Sequence, residues 1–303
     1  MSTVAVSPAP ELVPDQRRAL QSVARYEALR LVRHPVFVVA TLVYIYDAVI
    51  TPFTDYANAD YPAPAHGTES NLDWPLMPAF LLGLGGLIAM NRITSSSGRS
   101  GEVLGAAPMS EPRRTLALCL ACLVPAGLAL LGAAWVFYFW MTDPPVHTEN
   151  WGEFSNAELA AIMACGVLAA LGGSLLGVLT ARWWRWPTAA ALTCVLLIAW
   201  SIVGLFNDDH PLVTLNHLAA PFTLVSANGN DWSWHHGGSW LWRVPYLAGL
   251  CALATIAACA HGSDGELRRR QVRWAAAVGV LTLAALLIGT FTGPAGFYSW
   301  DDL

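Results

Sequence analysis

Arg92 to Arg114 reads RITSSSGRSGEVLGAAPMSEPRR, and the reading of this stretch decides the rest of the chain. It separates two long apolar runs and carries four arginines, two acids and a weakly helical centre closed by Pro108 and Pro112. A pore needs no such loop. A short charged segment held between two membrane spans gives a soluble partner something to grip and push.

Composition names the solvent. The chain has 303 residues, 55% of them apolar and only 12% charged, whereas a soluble domain carries roughly 25% charged residues. Mean hydropathy is positive, and several apolar runs reach the ~17–25 residues needed to cross a bilayer. Lipid is the expected surrounding. The formal charge of −5 says little, because the two signs are segregated along the chain. All sixteen basic residues are arginine, which reads as a coding bias more than as chemistry. The six cysteines (Cys119, Cys122, Cys165, Cys194, Cys251, Cys259) all fall inside apolar runs, so no disulfide framework is expected. Cys119-x-x-Cys122 reads as two small residues on one helix face, where the surroundings keep a thiol protonated.

Outward from the loop toward the N-terminus, residues 1–14 (MSTVAVSPAPELVP) form a mobile tail and 15–34 an amphipathic helix. Leu20, Val23, Ala24, Ala28, Leu31 and Val32 share one stripe at helical spacing, with Arg17, Arg18, Arg25, Arg30 and Arg33 around it. Such a helix lies along the cytoplasmic lipid surface until Pro35 turns the chain into the membrane. No apolar stretch precedes Val36, so no signal peptide is expected.

Seven spans are expected, near Val36–Pro52, Leu76–Met90, Thr115–Met141, Leu159–Ala181, Thr188–Phe206, Val244–Ala260 and Trp274–Phe291. Helices are required because an open sheet edge cannot be satisfied in hydrocarbon. With the N-terminus inside, fifteen of the sixteen arginines fall on the cytoplasmic side and Arg243 alone falls outside, as the positive-inside rule demands. The outer stretch 207–243 contains PLVTLNHLAAPFTLV, too short to span and too apolar for open water, which suits a re-entrant or interface-lying helix pair. Trp232, Trp234, Trp240 and Trp242 mark the headgroup level beside it. Gly83, Gly85 and Gly86 in the second span, and Ala169, Gly173 and Gly177 in the fourth, are ladders that let helix backbones approach closely. They serve packing within the bundle or, alternatively, a dimer interface.

The expected fold is thus an all-α polytopic membrane protein with six to seven transmembrane helices. An N-terminal interfacial helix and re-entrant outer helices complete it. Residues 35–261 make a six-span core around the 92–114 loop, and 262–303 add a basic loop and the seventh span. The localisation expected is the plasma membrane, multi-pass, with a cytoplasmic N-terminus.

Most catalytic signatures are missing. There is no Walker A pattern to cradle ATP phosphates and no His-Glu-x-x-His; Gly-x-Ser-x-Gly and an intramembrane aspartate pair are absent too. His66, His147, His210, His217, His235 and His236 cluster in the outer segments, but their spacing matches no zinc ligand set. They read as solvated or belt-level side chains. Asp47 is the carboxylate placed well inside a span, next to Tyr44 and Tyr46. It is either satisfied locally or lines a substrate cavity. The turn Arg182-Trp-Trp-Arg185-Trp-Pro187 reads as a headgroup anchor, with a partner contact as the alternative.

Three stretches carry a family likeness. ARYEALRLVRHPVF (Ala24 to Phe37) holds an internal Glu27 and ends in Arg-x-Pro before the first span. GEVLGAAPMSEPRR (Gly101 to Arg114) sets Glu102 before Leu104, then Pro108 and a basic pair at the third span. HLAAPFTLV (His217 to Val225) falls between the fifth and sixth spans. Together they resemble the connecting helix, the coupling loop and the re-entrant outer helices of the membrane subunit of a type-2 ABC exporter. The likeness covers Asp15 to His261 as architecture and only these stretches as sequence. Members of that family usually have six spans with both ends inside, so the span after Arg273 is a departure.

The resemblance implies a permease that is not itself an enzyme and binds no cofactor or metal, with ATP and Mg held by a separate cytosolic ATPase. It implies a second permease subunit, identical or homologous, a lipid bilayer around both, and no nucleic-acid partner. Arg99, Glu102, Leu104 and Pro108 would contact the ATPase. Glu27, Arg30 and Arg33 would couple the interfacial helix to the same joint, and Arg113 and Arg114 would hold lipid. The cargo moved outward would be amphiphilic or lipid-like. Two alternatives come from other classes. One is a membrane enzyme acting on lipids through the outer histidines with Asp208 and Asp209; the other is a non-transporting membrane anchor.

Overall fold

The computed structural model describes residues 16–46, 77–99, 109–142, 156–184, 186, 188–203, 215, 219, 234–235, 239–292 and 297–298. Described residues are helical almost throughout. Helix α1 is Gln16–Val32 and α2 is Pro35–Ile45. The two meet at a bend of 69°. Pro35 begins α2, where a missing N–H costs no hydrogen bond, and His34 precedes it with extended backbone. The elbow expected at Pro35 is present.

The segment expected as the second span opens on a π-helical turn, Ala79–Leu84, and continues as α3, Gly85–Arg99. It was expected to end at Met90 but runs nine residues further. Asn91, Ile93 and Thr94 are buried, so packing overrides the weak helix propensity of the serine run. Half of the Arg92–Arg114 stretch is therefore helix, and residues 100–108 lie outside the described region.

The third span is broken. Helix α4 is Glu111–Ala121 and α5 is Leu123–Thr142. Pro125 has no N–H to give to the Ala121 carbonyl four residues back, and Cys122 N–H bonds instead to Cys119 O at 3.2 Å. Then follow α6 (Asn156–Trp183), α7 (Ala189–Val203), α8 (Trp240–Ala260) and α9 (Gly265–Thr292). Strands β1 (Trp234–His235) and β2 (Phe297–Tyr298) form a two-residue antiparallel ladder.

Four helices among the described residues are long and apolar enough to cross a bilayer: Glu111–Tyr138, Asn156–Trp183, Trp240–Ala260 and Gly265–Thr292. The bent α1–α2 pair makes a fifth if counted as one span, and α7 is apolar but shorter. Leucines and valines on the outer faces, such as Leu131, Val280 and Leu281, are exposed. Apolar helices with apolar outer faces mark a membrane protein. The expected re-entrant pair falls almost wholly outside the described residues.

Helix α6 is the post around which the rest assembles, 61% buried over its apolar window against 22% for α9. The glycine ladders explain how. A Cβ at Gly173 would collide with the Gly83 backbone, one at Gly177 with Leu87 O, and one at Gly86 with the Ser174 hydroxyl. Both ladders thus face each other inside the bundle. With lipid outside, close dispersion contact replaces the hydrophobic effect as the driving term. Asn91 adds a buried hydrogen bond to Thr180 Oγ1 at 2.9 Å, worth about 0.6 kcal/mol in such a setting.

Helix α9 packs mainly on α8, with Thr282 against Gly249. Gly265 enters it at φ 55° with open space around it, a backbone conformation that other residues adopt at a cost. Two expectations near α8 fail. Arg243, placed in the outer loop, is buried in the first turn of α8 over the Trp240 ring at 5.1 Å. Trp240, assigned to the aromatic belt, is buried too.

Candidate functional site

The most connected polar cluster lies at the arginine-rich end of the bundle, where five segments converge. Helix α1 brings Glu27, which lies in the apolar stripe rather than outside it, while Val32 is exposed. A buried carboxylate needs a partner. Arg30 supplies it, donating from Nη1 to Glu27 Oε2 at 2.8 Å. The same guanidinium donates from Nη2 to Ser96 Oγ at 2.9 Å, which fastens α1 to the end of α3. Tyr26 lies 5.9 Å from the guanidinium. Arg33 is exposed at the turn that ends α1.

His34 sits in the elbow with Nδ1 buried and unpartnered. Burial, and then the charge of Arg92, hold its pKa below the ordinary histidine range. The folded chain thus favours the neutral ring, and acid below that ordinary range weakens the fold.

Glu111 is the second knot. Ser110 and Pro112 place it in the first turn of α4. Its Oε1 accepts from Arg182 Nη1 at 3.0 Å, across 71 residues of sequence, and lies 3.9 Å from His261 Nδ1. Gly262 leaves room for this, since a Cβ there would press on the Glu111 side chain. Trp183 donates from Nε1 to Ala257 O at 3.0 Å and meets the His261 ring edge-on at 5.5 Å. The ends of α4, α6 and α8 are thereby tied together. Arg182, read from sequence as a headgroup anchor, is an ion-pair partner instead; the exposed Trp184 and Trp186 remain suited to that role.

Of the residues singled out from sequence, Glu27 and Arg30 are brought together. Arg99 closes α3, three residues beyond Ser96. Glu102, Leu104, Pro108 and Asp47 lie outside the described residues, as do the outer histidines except His235 in β1. Sequence reasoning missed Ser96, His261 and the role of Glu111. Glu111 carried a readable signal, a capping serine and a proline around it, but its partners are distant in sequence.

The cluster joins five segments through the hydrogen bonds and ion pairs of long side chains, and it contains no described group of three metal-binding side chains. No known protein family, curated protein or solved structure matches this chain.

Proposed function

We propose that this chain is the permease subunit of an ABC exporter, moving an amphiphilic or lipid-like compound outward when a separate ATPase drives it. One observation carries the reading. Helix α1 folds back 69° from α2, and Arg30 fastens it to Ser96 on the helix that feeds residues 100–108. A push on that segment is delivered to α3 and α1 on one side. On the other it reaches α4, and through Glu111 the ends of α6 and α8. In this reading α1 lies along the cytoplasmic lipid surface, and two permease subunits sit above two ATPases.

The ATPase is expected to be encoded beside this chain and to carry the Walker A loop that it lacks. Glu102→Arg should abolish co-purification of the pair while membrane insertion stays normal. Co-purification at wild-type yield would remove Glu102 from the contact.

A further inference from the structure

The four arginines that open α9 have no role in the joint described above. Arg268, Arg269, Arg270 and Arg273 are all exposed, and none makes an ion pair among the described residues. Arg268, Arg269 and Arg273, with Gly265 and Val272, line an open groove of about 470 Å³. Their spacing of three, four and eight residues from Gly265 puts them on one face of the helix. Asp264 and Glu266 are the acids nearest in sequence, and neither lines the groove. Three like charges held together over one groove repel one another, and an anion relieves that repulsion.

The rest of α9 says which anion. Trp274 follows at once and is exposed, as are Val280, Leu281 and Phe291 on the outer surface. The 19 residues from Trp274 to Thr292 span about 28 Å at 1.5 Å each, which matches the hydrocarbon thickness. The arginine turns therefore emerge at headgroup depth on a helix whose outer side faces acyl chains. A soluble phosphate would gain only the charges. A phospholipid gains the charges and the apolar flank together.

We propose that Arg268, Arg269 and Arg273 form a binding site for the phosphate headgroup of an anionic phospholipid, with its acyl chains along the Trp274–Thr292 face. The site depends on α9 crossing the membrane and not on the transporter reading. A basic residue at an anionic surface contributes about fivefold, so removing three should weaken binding by on the order of a hundredfold.

The test uses the full chain purified in a mild detergent, with phosphatidylglycerol or phosphatidylcholine added and retained lipid read by native mass spectrometry. Wild type should retain phosphatidylglycerol in preference. The triple variant R268Q/R269Q/R273Q should lose it, whereas R268K/R269K/R273K, which keeps the charge at the same three positions, should keep it. Free glycerol phosphate in excess should not displace it. Equal retention of the two lipids by wild type overturns the site whatever the variants do, and so does undiminished phosphatidylglycerol on the triple glutamine variant. Displacement by glycerol phosphate would make the ligand a soluble phosphate and overturn the lipid assignment. If the triple variant keeps its lipid but loses a protein partner, the arginines belong to that partner's surface.

Discussion

Glu111 shows how little a pair has to stabilise in order to matter. Its side chain is half exposed while that of Arg182 is nearly covered, so the pair contributes within about 1 kcal/mol. What it fixes is relative position, since α4 and α6 meet there 71 residues apart. Glu111→Arg is expected to cost on the order of 1 kcal/mol through like-charge contact with Arg182, read as a lowered thermal midpoint in detergent. The reversed pair E111R/R182E should recover most of the loss; a double variant no better than its worse single parent would refute the contact. At this scale the sequence was legible in part. Glu27 and Arg30 stand three residues apart on one helix, so their pairing follows from spacing. Ser96, the third member, is 66 residues from Arg30, and nothing in a serine run marks one hydroxyl as special.

Among the elements, α3 and α6 are joined by glycine. Because the atoms facing Gly173 and Gly177 are backbone, no side-chain rotation can make room for a methyl group. Gly173→Ala and Gly177→Ala should each destabilise by about 1–3 kcal/mol, whereas Gly127→Ala, with nothing near its added carbon, should be neutral. Unfolding in denaturing detergent measures this, and a Gly127 variant as unstable as the other two would argue against the contact. The ladders were readable as close-approach surfaces, but their partner was not, because a small-residue stripe fits a second copy as well as a neighbouring helix. The end of α3 was misplaced for a similar reason. Propensity over TSSSGR favours a stop, and only burial of Asn91, Ile93 and Thr94 against neighbouring segments carries the helix to Arg99. The break at Cys122 was missed, since Thr115–Met141 was read as one span although Pro125 cannot bond back to Ala121.

On the scale of the whole molecule, the hairpin of α8 and α9 fixes which ends lie together. His261 and Glu111 meet at one end. At the other, Ser239 N–H bonds to Gly289 O at 2.9 Å and the β1–β2 ladder lies beyond. Cysteine placed at exposed Ser110 should therefore react with a membrane-impermeant maleimide from the opposite face to cysteine at exposed Thr292. In intact cells only the second is expected to label. Label on Ser110 from outside would place the arginine-rich end on the wrong side and end the transporter reading. Apolar length made the membrane character legible, and with it the long apolar helix after Gly265. It did not fix the number of crossings, since α2 and α7 are short as described and the residues that follow them lie outside the described region.

The wide turn at Ala79–Leu84 gives the helix that runs on as α3 one residue more than a regular helix needs over that length. Such surplus is slack in the thread. Deleting Leu81 should let the winding tighten locally while Gly83 and Gly86 still find α6, and the protein should still reach the membrane folded. Deleting Ile88, only seven positions on, shifts Asn91 and everything after it about 100° around the axis, away from Thr180. If both deletions prove equally harmful, the slack is not there; if the first is spared, this is where the span can lose a residue and keep its grip.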